Sequence, residues 1–372
     1  MNNNMFSVIF ASDQETKLDN LALHRTTASL PFCARYRCID FTLSNLVNSN
    51  VTSIGIITKN NYSSLMDHIR MGRDWDLNRK NGGIVVFPPY ASNTTRSVFK
   101  GKIEALYGIL EFIEKAPEEY CIVTNSNIIS NIDFEDVYKQ HIATGADITV
   151  LSYSAKPTSS KRLLLDLDKD SKVIGSRITQ RADDNILEVG VNIYLLKRDL
   201  LRDLVVDNFE RGLIDFEKNI IQQNVDNLKI YSYHIDQHCA IIDDIKSYYK
   251  ESMAVLDFDV RESLFDGKGG KIYTKVKDSV PTRYRENALI KNSLIADGCD
   301  INGIVENSIL FRGVVVEEGA VIKNSIIMEG GKIQKNVSLN YIITDKNVTV
   351  TEDRTMSGSE LYPEVIAKNK TV

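Results

Sequence analysis

Two groups of side chains in this sequence could do chemistry: thiols and imidazoles that could hold a metal, and polar residues after apolar runs that could meet an anion. The five cysteines, Cys33, Cys38, Cys121, Cys239 and Cys299, are scattered and form no CxxC pair, so neither a disulfide framework nor a thiolate metal site is expected. His234 and His238 have metal-ligand spacing, yet no acidic or cysteine partner stands at the expected offset, so zinc is not expected. His141 shares a helical stretch with Phe134, Val137 and Tyr138, which predicts a helix-surface position rather than a catalytic one. The remaining candidates follow apolar runs ending near residues 11 and 124. They are Ser12-Asp13-Gln14-Glu15-Thr16-Lys17 and Asn125-Ser126-Asn127.

Those segments need elements to position them. Short β-branched runs at 6–11, 53–58, 83–87, 120–124 and 147–153 read as buried strands, and they alternate with amphipathic stretches at 102–115 and 133–143. Alternation of this kind predicts an α/β layer with a mostly parallel sheet, whose ligands bind beyond the carboxyl ends of the strands. The 372 residues suggest two or three domains. With 45 basic against 50 acidic residues and no long run of like charge, no nucleic-acid partner is expected. No apolar run is long enough to span a membrane, and the apolar start at 5–11 lacks the flanks of a signal peptide, which predicts a cytoplasmic protein.

From about residue 286 the texture changes. The tetrad Asn292-Ser293-Leu294-Ile295 recurs from Asn307 and from Asn324, and more loosely as Asn340-Tyr341-Ile342-Ile343. Six-residue steps run through Leu289, Ile295 and Ile301, through Leu310, Val316 and Ile322, and through Ile327, Ile333 and Leu339. Period six with small residues between predicts hexapeptide repeats wound into a left-handed parallel β-helix, each apolar residue turned inward. The expected division is a domain at 1–255, a linker at 256–285, Lys- and Gly-rich over 266–285, and the β-helix at 286–372. The coil's open edges predict cover by another subunit, including a homo-oligomer when the chain is alone.

The string Arg35-Tyr36-Arg37-Cys38-Ile39-Asp40-Phe41-Thr42-Leu43-Ser44-Asn45, with Trp75-Asp76-Leu77, Pro88-Pro89, Asp215-Phe216-Glu217-Lys218 and the repeats, resembles the bacterial ADP-glucose pyrophosphorylases, or glucose-1-phosphate adenylyltransferases. The resemblance implies a Rossmann-like, GT-A-like nucleotidyltransferase domain followed by the β-helix, assembled as a tetramer that makes ADP-glucose and pyrophosphate from ATP and glucose 1-phosphate for glycogen synthesis. That reaction needs positioning and charge neutralisation at the phosphates by magnesium, basic side chains and backbone N–H groups.

Against the active family's pattern the chain departs at four places. The Gly-Gly-x-Gly-Thr-Arg-Leu loop is replaced by 12–18, where Ser12, Asp13 and Glu15 stand without any glycine. Asn127 stands where a metal-binding Asp is expected, and Ile241 where the second metal carboxylate is expected, with Asp243 or Asp244 as substitutes if the register slips. Thr27 replaces a Lys, and a Glu-Lys-Pro that grips the sugar phosphate becomes Gln180-Arg181-Ala182, in which Arg181, like Lys17 elsewhere, could retain phosphate binding. An effector site is expected at His24, Arg25 and Arg37, with Lys335 on the coil, and Lys59 is left to solvate the cleft.

The pattern is most similar to the GlgD-type subunit. It implies a catalytically impaired regulatory subunit that binds no cofactor itself, partners a catalytic GlgC-type subunit using magnesium and ATP in a heterotetramer, and responds to a sugar-phosphate effector. The alternative is a self-sufficient adenylyltransferase with relocated metal ligands. An acyltransferase, suggested by the hexapeptides alone, is disfavoured because all five histidines precede residue 239.

Overall fold

The computed structural model describes residues 4–11, 17–59, 61–80, 82–89 and 99–372. A nine-stranded sheet forms the first part. Its parallel half sets Gly83–Phe87, Ser53–Ile57, Met5–Phe10 and Tyr120–Asn125 side by side. The β-branched and aromatic residues of these strands are buried on both faces wherever helices cover them, as Phe6, Val8 and Ile9 show. Met5–Phe10 and Tyr120–Asn125 are in register with Phe10 opposite Asn125, so their carboxyl ends open into one crevice.

The other half is antiparallel except that Ile230–His234 pairs parallel with Ile148–Ala155, so the sheet is mixed rather than mostly parallel. The long strand Leu187–Lys197 runs antiparallel to Tyr120–Asn125, Ile148–Ala155 and Arg162–Leu167. Arg162–Leu167 pairs in turn with Val173–Thr179. The connection between those last two is a short turn with Ser171 at φ 63°, and such a turn permits only antiparallel pairing. Charged residues in this hairpin masked it as strand.

Helix Phe134–Thr144 begins at Asp133, whose carboxylate accepts from the Glu135 N–H, and ends at Gly145 with φ 60°. His141 is not on its surface. It is buried against the sheet, Nδ1 2.7 Å from Thr149 Oγ1, and burial pushes its pKa down to about 4, which keeps it neutral. The stretch 102–115 is two helices, Lys102–Tyr107 and Leu110–Lys115, separated at Gly108.

The second part is a left-handed parallel β-helix built from three parallel sheets of five short strands. Ile301, Leu310, Val316, Ile322, Ile327, Ile333 and Leu339 fill its interior, fully buried. Leu289 is the exception. It is 65% exposed, because the three-residue strand Leu289–Lys291 turns Ile290 inward, in the row of Val305 and Ile322, and Leu289 outward opposite Ile304.

The Asn-Ser repeat is a corner. Asn292, Asn307 and Asn324 take φ of 42°, 45° and 46°, a left-handed conformation that Asn tolerates better than most residues. The amides stack, Asn292 Nδ2 donating to Asn307 Oδ1 at 2.9 Å, and Ser308 Oγ accepts the Ser325 N–H at 3.1 Å. The fourth corner lies one residue later than the tetrad suggests. Ile326 pairs with Ile343, so Tyr341, at φ 56°, occupies the corner, and its ring packs toward Tyr249.

The two parts share one core. Helices Ile245–Ala254 and Phe258–Phe265 place Tyr248 and Leu264 in a buried cluster with Phe32, Phe41, Ile309, Phe311 and Ile326. Residues 256–285, read as a linker, thus contribute a helix and a docked strap. Asn48 Nδ2 donates to the Gly269 carbonyl at 2.7 Å, and a Cβ on Gly269 would lie 2.6 Å from the Ile132 backbone.

The corner geometry makes a specific expectation. Asn307→Gly should cost little, whereas Asn307→Ala should cost on the order of 1–2 kcal/mol, the usual cost of an alanine in a left-handed position. Urea unfolding of both variants checks it, and equal losses would refute the role assigned to the corner.

Candidate functional site

At the carboxyl ends of Met5–Phe10 and Tyr120–Asn125 lies a cleft of about 320 Å³. Strand Ile128–Ser130 pairs antiparallel with Cys239–Ile241, Ile241 facing Ile128, and this brings Asn127 and Ile241 together at the cleft wall. Asn127 Nδ2 donates to the Ile242 carbonyl at 3.0 Å, and the Ile242 N–H donates to the Asn127 carbonyl at 2.9 Å. Among the described residues Asn127 Oδ1 has no hydrogen-bond partner and is buried.

Among the described residues three carboxylates face this cleft, and each has a cation of its own. Lys102 Nζ lies 2.5 Å from Glu217 Oε1, Lys161 Nζ 2.6 Å from Asp215 Oδ2, and Arg162 Nη2 2.5 Å from Asp243 Oδ2. Burial pushes the Asp215 carboxyl up, but its bonds from Lys161 and the Lys218 N–H outweigh that and hold it below its ordinary value. Asp244 is also committed, since it caps helix Ile245–Ala254 by accepting from the Ser247 N–H.

A divalent cation needs anionic oxygens with free lone pairs. Ile241 has none, Asn127 offers one neutral oxygen, and Asp243, a single carboxylate, is already balanced in charge by Arg162, although its Oδ2 accepts no hydrogen bond among the described residues. Among the described residues no group of three His, Cys, Asp or Glu side chains could hold a metal ion. These donors do not fit magnesium.

The other expected positions are dispersed. Ser12, Asp13 and Glu15 lie outside the described residues. Thr27 is buried in a 3-10 turn at Thr27–Ser29. Lys17 is exposed, its backbone N–H donating to the Asp243 carbonyl at 2.6 Å. Arg181 is exposed on the loop after Val173–Thr179, away from the cleft lining, whereas Lys59 lies in that lining. The other cations of that lining, Lys100, Lys102, Lys161 and Arg162, escaped the sequence reading. The doublet Lys161-Arg162 opening a strand was the one available signal.

A second pocket, of about 40 Å³, lies between the two parts. Arg35, Arg37, Lys275, Lys277, Arg312 and Lys346 reach it. It draws on the YR-IDF string: Asp40 accepts from the Arg37 N–H at 3.0 Å and, through Oδ1, contacts His68 Nε2 at 2.5 Å, which fixes the turn into helix Cys38–Asn48. Cys33 and Ala34, both at positive φ, make the sharp turn that aims Arg35. Arg37 Nη1 donates to the Ser64 carbonyl at 2.7 Å, and burial pushes its pKa below the ordinary value while Asp40 opposes this. Glu329 is shared between Lys277 at 2.5 Å and Lys346 at 2.7 Å. Burial alone would raise its pKa, but the two cations hold it at about 2.

Of the expected effector residues, only Arg37 is in this pocket. His24 is exposed outside it, and Lys335 sits at an exposed coil corner. Arg25 has another role: its Nη2 grips both oxygens of Asp345 at 2.7 and 2.9 Å, both side chains buried, tying the first part to the coil.

Residues 6–162 match the nucleotidyl transferase family, and residues 277–361 match the GlmU-like C-terminal hexapeptide family. The chain is similar to "Glycogen biosynthesis protein GlgD" of Bacillus subtilis (strain 168), 32% identical over 99% of this chain and 96% of that protein. It is 34% identical to "Glycogen biosynthesis protein GlgD" of Geobacillus stearothermophilus, over 86% of this chain and 83% of that one. It is 30% identical to "Glucose-1-phosphate adenylyltransferase" of Fervidobacterium nodosum (strain ATCC 35602 / DSM 5306 / Rt17-B1), over 94% and 84%.

Two outcomes are expected of the bonds between the parts. Arg25→Met strands a buried carboxylate and should cost about 3–5 kcal/mol in chemical denaturation, with much of it recovered in Arg25→Met/Asp345→Leu; a loss that the second substitution leaves untouched would refute the pairing. Glu329, depressed from 4.5 to about 2, contributes stability that is present above pH 4.5 and is lost as pH falls toward 2. Glu329→Gln should remove that part of the acid dependence, measured as stability against pH.

Proposed function

This chain belongs to the bacterial ADP-glucose pyrophosphorylase family and, within it, to the GlgD type, and from that membership we propose that it serves glycogen biosynthesis in the cytoplasm as a catalytically impaired regulatory subunit. Its partner is a catalytic GlgC-type subunit, joined with it in a heterotetramer. Magnesium and ATP are handled by the partner, and this chain binds no cofactor of its own.

One observation carries the reading. The strand pairing unites Asn127 and Ile241, an amide and an aliphatic side chain, at the cleft wall, and the family resemblance expects anionic metal ligands at these two positions. The leaving pyrophosphate concentrates negative charge, and each preorganised contact that meets such charge is worth roughly 10² to 10³ in rate. The losses act as a unit and do not simply add, yet together they leave turnover far below that of a catalytic subunit.

Regulation is the function these parts retain. The cations between the two parts suit a phosphate-bearing effector, because guanidinium and ammonium groups clustered around a single carboxylate, Glu329, leave positive potential for an anion. A sugar phosphate bound there would touch both the first part and the coil, and so bias their arrangement within the tetramer.

The test is pyrophosphate release from ATP and glucose 1-phosphate with magnesium, measured for the purified chain alone, for a catalytic partner alone, and for the mixture. The chain alone should run at least about 10³-fold slower than the partner, and the mixture should exceed the partner and co-migrate with it on size exclusion. Robust activity of the chain alone, abolished by Asp243→Asn or Asp244→Asn, would establish the self-sufficient enzyme instead. Neither stimulation nor co-migration would overturn the regulatory assignment.

A further inference from the structure

The coil is closed at one extremity and open at the other. Its three sheets start at Arg283–Tyr284, Leu289–Lys291 and Leu294–Ile295, each paired on one side only. Each of these strands heads an inward row of the interior. In the first row Ile301, Val316, Ile333 and Val350 are fully buried, yet Tyr284, which leads it, is 57% exposed. Ile290, 37% exposed, leads the row that buries Val305, Ile322 and Leu339. The backbone is open as well. The N–H groups of Arg283 and Arg285 donate to the second rung at 2.8 Å, and those of Leu289 and Leu294 at 3.1 and 3.0 Å. Alternation along a strand therefore aims the N–H and C=O groups of Tyr284, Ile290 and Ile295 out of the coil, where they meet no partner among the described residues. At the far end the chain covers itself: Thr349 pairs with Thr371, and the Thr351 N–H donates to the Val372 carbonyl at 2.8 Å.

We propose that the open end is an interface with a second copy of this chain, docked coil end to coil end about a two-fold axis. Exposed strand edges are templates for pairing, and an apolar core cut in cross-section is best covered by another such section. A two-fold perpendicular to the coil reverses the sense of winding at the joint, so facing strands run antiparallel and can exchange backbone hydrogen bonds. With that axis over the middle of Leu289–Lys291, this strand faces its own copy, Ile290 opposite Ile290. Arg283–Tyr284 of each copy then faces Leu294–Ile295 of the other.

Charge supports the same pairing. Glu286 lies in the turn between the first two strands and Lys291 at the turn into the third, and both are exposed. The axis exchanges these two corners, so Glu286 of each copy faces Lys291 of the other and both contacts are attractive. Lys291 has a side chain 80% exposed and only a 3.5 Å contact to Glu306 among the described residues, a weak tie that does not hold it away. One patch thus supplies both halves of the interface, which is what a two-fold contact demands. None of these residues lines the cleft or the pocket between the parts, so the inference goes beyond the regulatory reading and does not rest on it. Turnover by the chain would refute that reading and leave the joint standing.

The experiment measures the mass of the full chain by analytical ultracentrifugation at micromolar concentration, with the fold of every variant verified by circular dichroism. The unmodified chain should be a dimer. Ile290→Asp sets two carboxylates against each other at the centre of the joint and should weaken the dimer at least about tenfold. Glu286→Lys and Lys291→Glu should each weaken it by placing like charges face to face, and Glu286→Lys/Lys291→Glu should restore it. A change in local stability alone would not produce that restoration. A monomeric unmodified chain, a chain that pairs only with an added catalytic subunit, or a dimer indifferent to these substitutions would overturn the proposal. If Ile290→Asp does not fold, the charge variants, both at exposed positions, decide it.

Discussion

Charge placed in a half-buried cleft must be balanced, and in this chain the balance is internal. Asp215, Glu217 and Asp243 each meet a cation of the same polypeptide, so none of the described carboxylates lining the cleft is left without one. Nucleotidyl transfer requires the opposite arrangement: preorganised, uncompensated charge waiting for a phosphate and a metal. The rest of the molecule is consistent with that constraint. The sheet still delivers the carboxyl ends of Met5–Phe10 and Tyr120–Asn125 to the crevice, and the strand pair Ile128–Ser130 and Cys239–Ile241 still frames it. What has changed is which side chains the frame carries.

The frame itself is held by packing that does not involve the cleft. Tyr248 and Leu264 share one buried cluster with Ile309, Phe311 and Ile326 of the coil, and such burial at roughly 25 cal/mol per Å² is insensitive to what happens among the ion pairs. The buried Arg25 and Asp345 pair adds orientation more than net stability, because its desolvation cost offsets most of its attraction. A hydrophobic interface can slide, whereas a guanidinium gripping both oxygens of one carboxylate fixes a single docking angle.

Much of the fold was legible in the sequence, and the physical reason is periodicity. Period-six aliphatics such as Val316, Ile322 and Ile333 can satisfy burial only as a coil, and the β-branched runs at 53–58 and 120–124 only as strands. The errors fall where period and chemistry disagree. His141 looked like surface because imidazole is polar, but a bond to Thr149 makes a neutral buried His acceptable. Leu289 looked inward because it is apolar, but in Leu289–Lys291 it is Ile290 that shares the row of Val305, and at this end of the coil even Ile290 stays 37% exposed. Asn127 and Ile241, singled out in the sequence, do lie together at the cleft wall, because adjacent strands align them. The ion pairs were not, because Arg162 and Asp243, or Arg25 and Asp345, lie far apart in the chain, and nothing local to either residue announces its partner.

The two pockets stand in instructive contrast. In the cleft each described carboxylate has its own cation, and Lys59 and Lys100 line it besides. In the pocket between the parts, six cationic side chains converge and one carboxylate, Glu329, is shared by two of them. Lys275 and Arg312 have outside partners in Asp67 and Asp297, yet their charges still bear on the same small space. Burial lowers the pKa of Lys346, and Arg37 and Arg25 add to that, so holding these groups together has a measurable electrostatic cost. A fold selected for stability alone would exchange one of them for a neutral residue. On the proposed reading a multivalent anion would relieve that cost, and because the cations come from Arg35 and Arg37 on one side and Arg312 and Lys346 on the other, the relief would depend on how the two parts are disposed.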